Sequence, residues 1–348
     1  MGGENMKVLL AGDHFVTPAV LQEALSRHLP HAQTKVFQTP FPEEPTSDFS
    51  GVKEAAGDED ALIEALQGMD VCFTHTAPLS KRVIEACPDL RLITVCRGGP
   101  VNADEAAATN AGIALTFTPG RNAIATAEHS IAMIFAAIRQ VAQRHEELRA
   151  GDWRGDYYRY EQVGPELSGS TVGMVGYGAV GSRVAPILVA AGARVLVYDP
   201  YLSTDLPEGA SRSDSLDDLL SASQIVTLHA RLTDENDGMI GAEQIALMPR
   251  GSVIVNCARG GLMDYDAVCD SLDSGHLYAA AADVLPFEPL PSDHRILRTD
   301  RFTVTPHLAG ASKQAAHLAA DIGAADIAAF ARGDHPTHIA NAEVLKEK

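Results

Sequence analysis

A chain of 348 residues, 46% hydrophobic and 21% charged, is long enough for two domains and has the composition of an ordinary globular protein, not a disordered or fibrous one. Its formal net charge of −19 argues against a general nucleic-acid or anionic-membrane binder, since both need a basic face. No apolar run reaches the roughly 20 residues that span a bilayer, and no signal-peptide or myristoylation pattern opens the chain. The five cysteines Cys72, Cys87, Cys96, Cys257 and Cys269 include no CxxC pair, which favours buried reduced thiols over a metal site or a disulfide framework. The expectation is a soluble cytoplasmic protein without a metal.

In chain order, short β-branched runs alternate with Ala/Leu-rich stretches, the pattern of an α/β fold with parallel sheets. "KVLLAG", "TKVFQT", "DVCFTHT", "RLITVCRGG" and "GIALTFTP" predict five strands before residue 120. The Pro-rich stretch Thr39 to Gly51 reads as a surface loop. A long helical segment from Arg121 to Arg149 follows, then a polar, aromatic loop holding Trp153, Tyr157, Tyr158 and Tyr160. "TVGMVGYG", "RVLVYDP", "IVTLHA", "SVIVNCA", "YAAAADV" and "FTVTPH" predict a second series of six strands. A final helix after residue 310 can pack back on the first series. The domains are therefore expected at 1–118 with 308–348, a discontinuous substrate-binding domain, and at 119–307.

Gly176, Gly178 and Gly181 stand in GxGxxG spacing between a predicted strand and a predicted helix, and Asp199 ends the next strand. That context is what a dinucleotide turn needs. Gly176 permits the tight turn, Gly178 lets the backbone approach a pyrophosphate, and Gly181 lets the helix lie close to the sheet. Asp199 would accept from the adenosine ribose hydroxyls and repel a 2′-phosphate, so NAD is favoured over NADP. A glycine turn beside a surface aspartate is the competing reading. Pro186 falls inside the helix, where a bend is expected.

Arg259, Glu288 and His307 stand at or just beyond strand ends in the second series. An arginine can hold a carboxylate and polarise a neighbouring carbonyl. A histidine can deliver the proton needed when hydride reaches a carbonyl carbon, and a nearby carboxylate favours its protonated form. The competing readings are a structural ion pair, a solvated loop acid and a strand-capping histidine.

The motifs "PGRNAIATAEHSIAMI", "ELSGSTVGMVGYGAVGSRVA", "VYDP", "LHARLTDEN", "VNCARGGLMD", "AADVLPFEPL" and "TPHLAGAS" fall in order between Arg91 and Asn341. Here the chain resembles the D-isomer-specific 2-hydroxyacid dehydrogenases. The resemblance implies two Rossmann-like domains, the substrate domain flavodoxin-like, with a cleft between. It implies that Arg259 binds substrate, that Glu288 pairs with an acid–base His307, and that Asp283 orients the nicotinamide carboxamide. It implies substrate carboxylate binding by backbone N–H groups of Gly98 and Gly99. Tyr177, Ala179 and Val180 in the turn, with His229, Cys257 and Ala258 at strand ends, complete the expected NAD contacts. The formate dehydrogenases resemble the chain broadly but carry Gln where Glu288 stands, which argues for the hydroxyacid branch. The family also implies a homodimer, with the Arg121–Arg149 segment in its interface.

The pattern is broken at a few places. Arg97 adds a cation near the carboxylate turn, and His75, between Thr74 and Thr76, stands where phosphoglycerate enzymes typically carry arginine. Arg97, His75 and His14 are therefore the candidate pocket residues, and a polar hydroxylated acid is favoured over a phosphorylated one. Arg231 reads as an exposed arginine, or as one that relaxes discrimination against NADP. The activity expected is interconversion of a 2-oxo acid and its D-2-hydroxy acid; the alternative is an NAD(H)-sensing, corepressor-like binding protein.

Overall fold

The computed structural model describes residues 6–345. The chain divides into two compact units, one formed by Met1–Asn122 with Ala311–Lys348 and the other by Ala123–Gly310. Unit one contains strands β1 (Lys7–Gly12), β2 (Gln33–Gln38), β3 (Ser47–Phe49), β4 (Val52–Ala55), β5 (Val71–Thr74), β6 (Leu92–Val95) and β7 (Ala114–Phe117). Helices α1 (Pro18–His28), α2 (Glu59–Leu66), α3 (Lys81–Glu85) and α4 (Glu105–Asn110) connect them. Five strands form a parallel sheet in the order β2-β1-β5-β6-β7. Strand side chains alternate between faces, so Val8 and Leu10 enter one core while Leu9 and Ala11 enter the other. Both faces are covered at β1, β5, β6 and β7, which is why these strands read as apolar runs, whereas the edge strand β2 is polar and mostly exposed.

Unit two begins with helices α5 (Ala123–Arg139) and α6 (Val141–Arg149). It continues with strands β8 (Thr171–Val175), β9 (Arg194–Tyr198), β10 (Ala210–Arg212), β11 (Ile225–Leu228), β12 (Ser252–Asn256), β13 (Leu277–Ala282) and β14 (Phe302–Val304). These form a seven-stranded parallel sheet, β10-β9-β8-β11-β12-β13-β14. Helices α7 (Gly181–Ala190), α8 (Leu216–Ala222), α9 (Ala242–Leu247) and α10 (Tyr265–Asp273) connect its strands. The last helix, α11 (Lys313–Arg332), belongs to unit one. It lies so close to that sheet at Gly323 that a Cβ there would sit 2.6 Å from the Phe73 ring.

Three features differ from the sequence reading. The Pro-rich stretch is not all loop: β3 pairs antiparallel with β4. The turn residues Ser50 and Gly51 both have positive φ, as a tight two-residue hairpin requires. Strand β10 is an additional edge strand, three residues long, with too few apolar positions to be visible in the sequence. The segment after Arg121 is two helices, broken at Gln140, whose φ is 49°. The break separates α5, which buries Met133, Ile134 and Ile138, from α6, which buries nothing. Helix α7 continues through Pro186, in keeping with the reading that proline there does not end the helix.

Among the described residues no helix is long and apolar enough to cross a membrane, and no group of His, Cys, Asp and Glu could hold a metal ion.

Candidate active site

In unit two the strand order reverses between β8 and β11, the place where open α/β sheets take ligands. Gly176 leaves β8 with φ 94°, and a Cβ there would lie 2.5 Å from the Ala230 backbone nitrogen. A Cβ on Gly181 would lie 2.6 Å from the Gly176 carbonyl oxygen. At Gly178 a Cβ would meet nothing within 4 Å, so the space over it is open. Val180 precedes α7 and no side chain caps that helix; the Ser182 and Arg183 N–H groups bond the Gly178 and Val180 carbonyls at 3.0 and 2.9 Å. Asp199 follows β9 and accepts from the N–H groups of Tyr177 and Tyr201, each at 2.8 Å. Its carboxylate keeps lone pairs for further donors. The residues thus fit a dinucleotide: a tight turn, an open approach, an uncapped helix and a carboxylate on the next strand.

Neighbouring strand ends add to this surface. His229 follows β11 and is held by a hydrogen bond of 3.1 Å between its Nε2 and the Thr227 hydroxyl. Its Nδ1 is buried with no hydrogen-bond partner among the described residues. Burial pushes its pKa down to about 4, so it is neutral at pH 7. Cys257 and Ala258 follow β12, and burial pushes the Cys257 thiol up to about 12, which makes it an apolar wall and not a thiolate. Arg231 is exposed.

The structure brings Glu288 and His307 into contact: Nδ1 of His307 lies 2.6 Å from Oε2 of Glu288. Oε1 of Glu288 accepts from the Leu285 N–H at 2.9 Å. Burial raises the Glu288 pKa, but the bond to His307, its charge and the Leu285 N–H outweigh that and hold the carboxyl below its usual range. With Nδ1 engaged, Nε2 is the nitrogen of His307 left to exchange a proton. His307 itself has φ 53°, a left-handed conformation that costs a non-glycine residue roughly 1–3 kcal/mol and clusters at functional sites. Its surroundings impose it. Asp283 is fully buried and accepts from Thr305 Oγ1 at 2.6 Å, Leu308 N at 2.8 Å and Ala309 N at 2.8 Å. Burial raises the Asp283 pKa, but these bonds, with one from His129, bring it down to about 2. His129, on α5, also bonds the Thr305 hydroxyl at 3.1 Å. The sequence reading missed His129; its signal was an ionisable pair, Glu128 and His129, inside a helix otherwise rich in Ala, Ile and Met.

Arg259 follows β12 and is exposed. Its Nη1 donates to the Ala258 carbonyl at 2.7 Å, and its own carbonyl accepts from Asn256 Nδ2 at 2.9 Å. Among the described residues its guanidinium has no acidic partner, and no hydrogen bond links it to Glu288 or His307. The charge at the end of this apolar strand is therefore solvated and available to a ligand anion.

In unit one the Gly98–Gly99 turn follows β6, and a Cβ at either position would meet nothing within 4 Å. Arg97 is held against the Glu54 carboxylate and donates to the Glu54 carbonyl at 3.2 Å. His75 is buried after β5, with Nδ1 2.6 Å from Asp13 Oδ2. His14 is turned away from this group, its backbone N–H on the Phe41 carbonyl and its ring paired with Glu43 at 3.2 Å. Asp13, which the sequence reading passed over for its neighbour, is the residue that points inward.

A Rossmann sheet with a dinucleotide turn and ionisable groups at its strand ends defines the class of nicotinamide-dependent oxidoreductases. The comparisons narrow this further. Residues 131–309 match the model of the D-isomer specific 2-hydroxyacid dehydrogenase NAD binding domain. A glyoxylate reductase of Korarchaeum cryptofilum is 32% identical over 95% of this chain and 96% of its own length. A glycerate dehydrogenase of Methylorubrum extorquens is 33% identical over 80% of this chain and 88% of its own. The crystal structure of a glyoxylate reductase from Paecilomyes thermophila superposes with a TM-score of 0.74 and 25% identity, covering 98% of this chain and 99% of that one. The chain belongs to the D-isomer-specific 2-hydroxyacid dehydrogenase family. Its cofactor is NAD.

Proposed function

We propose that the chain reduces a 2-oxo acid to its D-2-hydroxy acid, and runs the reverse reaction, with His307 and Glu288 as the acid–base pair and Arg259 as the substrate-binding cation. The contact of 2.6 Å between His307 and Glu288 carries this reading. Bound NADH supplies the hydride that reaches the carbon of the oxo group. His307 gives the proton that the carbonyl oxygen needs at that moment, from Nε2, and Glu288 stabilises the imidazolium before transfer. Arg259 binds the carboxylate and polarises the oxo group by charge-assisted hydrogen bonds. In unit one the open N–H groups of the Gly98–Gly99 turn are suited to a carboxylate. Asp283 fixes the backbone that presents His307, and its remaining lone pairs can take the carboxamide of the nicotinamide.

Steady-state oxidation of NADH against a panel of 2-oxo acids tests this. Turnover on one class supports the dehydrogenase. Tight NADH binding with no turnover on any member supports the NAD(H)-sensing protein instead. The apolar side chains that α5 leaves exposed, Ile124 and Phe135, support a homodimer, and a monomer in light scattering at micromolar concentration would remove it.

A further inference from the structure

Unit one holds a buried polar constellation that the scheme above does not use. Its sheet reverses strand order between β1 and β5, and Asp13 and His75 stand just beyond those two strands, at the point where such sheets bind ligands. Arg121 follows β7 on the same edge. Asp13 is fully buried, and its carboxylate is saturated. Oδ1 accepts from the N–H groups of Phe15 and Val16, each at 2.8 Å. Oδ2 accepts from His75 Nδ1 at 2.6 Å and from the Thr76 hydroxyl at 3.0 Å. Because Nδ1 donates to Asp13, the lone pair of His75 is on Nε2. Burial also lowers the His75 pKa, which keeps the ring neutral.

Arg121 is the anomaly. Its Nη2 lies 3.5 Å from His75 Nε2, at the outer limit of a hydrogen bond. Its Nε and Nη1 are buried with no hydrogen-bond partner among the described residues. Each unsatisfied buried donor costs about 1–3 kcal/mol, so a fold that carries two of them on one side chain has a reason to. The missing element is not a counter-charge, because Asp13 is close enough to act on Arg121 electrostatically, and Arg97 is already paired with Glu54. What is missing is an acceptor for Arg121 and a donor for His75 Nε2. A hydroxyl group is both. A carboxylate or phosphate ester can accept but cannot donate to Nε2, and it would add negative charge beside Asp13.

We propose that Arg121 and His75, positioned by Asp13, recognise a hydroxyl on the carbon chain beyond C2, so that the preferred substrate is a hydroxylated 2-oxo acid and not a dicarboxylic or phosphorylated one. This rests on the reading that the Gly98–Gly99 turn takes the carboxylate. The two sites share an edge: Thr118, three residues before Arg121, donates its N–H to the Arg97 carbonyl at 2.8 Å. Arg121 keeps part of its surface open.

The test measures kcat/KM with NADH for matched pairs, hydroxypyruvate with pyruvate and 4-hydroxy-2-oxobutyrate with 2-oxobutyrate. Oxaloacetate and phosphohydroxypyruvate serve as the anionic comparisons. A site built to bond a substrate hydroxyl rejects the analogue lacking it, so in at least one pair the hydroxylated member is favoured by about tenfold or more. Arg121→Met and Asp13→Asn bring that ratio to within about twofold, with retained turnover of the member lacking the hydroxyl and an unchanged melting profile showing that they are folded. A wild type that shows no hydroxyl preference, or that prefers an anionic comparison, overturns the proposal without any variant. So do folded variants that keep the ratio. Turnover without a hydroxyl preference sinks this site alone, whereas no turnover on any 2-oxo acid sinks the dehydrogenase reading beneath it.

Discussion

The two parallel sheets each reverse strand order once, and they equip that point with different materials. In unit two the reversal is lined by backbone: glycines at 176, 178 and 181 and an uncapped helix start. In unit one it is lined by side chains, with Asp13 and His75 joined by a hydrogen bond and Arg121 set beside His75. A backbone-lined site suits a ligand part common to many enzymes, such as a pyrophosphate, because N–H groups are the same in every sequence. A site lined by side chains can be specific, because it has one arrangement of donors and acceptors.

Arg259 is expected to have a large effect on the chemistry of unit two. Arg259→Lys keeps the charge but loses the planar fork, and kcat/KM for the 2-oxo acid falls by roughly a hundredfold or more, with NADH affinity unchanged in a binding titration. If the rate held, Arg259 would not be the group that meets the substrate.

The glycines sharpen the contrast between fold and function within one turn. Gly176→Ala places a Cβ 2.5 Å from the Ala230 nitrogen at φ 94°, so thermal stability drops by about 2–4 kcal/mol. Gly178→Ala meets nothing in the protein; Tm stays within a few degrees while the NADH Kd rises roughly tenfold. Equal losses of stability in the two variants would refute the assignment of Gly178 to the cofactor.

A smaller effect comes from the anchor under His307. The Asp283 pKa falls from its ordinary 3.8 to about 2 in the folded chain. A depressed carboxyl contributes stability that is present above the unfolded value and lost as pH falls through the folded one. The shift corresponds to about 2 kcal/mol at pH 7, fading between about pH 4 and pH 2. Asp283→Asn should lower denaturant-measured stability at pH 7, and the gap to wild type should close in acid.

The same contrast explains what could be read from the sequence. Apolar runs marked the inner strands of both sheets, because both their faces are covered, and the glycine spacing marked the nucleotide turn because its three members lie within six positions. Arg259, Glu288 and His307 were visible as ionisable residues where apolar runs stop. The site in unit one was not visible as a unit, because it is assembled from positions 13, 75 and 121. Between His14 and Asp13 no pattern says which side chain turns inward; the structure buries Asp13 and leaves His14 half exposed. The hairpin β3–β4 was hidden by prolines, although Ser50–Gly51 was its signal. The break at Gln140 carries neither Gly nor Pro, and only the change from a core helix to a surface helix accounts for it.

The central claim is that His307 transfers the proton. The direct measurement is the rate of hydride transfer in a single turnover, for wild type and His307→Ala, with NADH binding measured on the same samples. The account predicts equal NADH binding and a transfer rate lower in the variant by about 10²–10⁴. Equal NADH binding with an undiminished rate would contradict it.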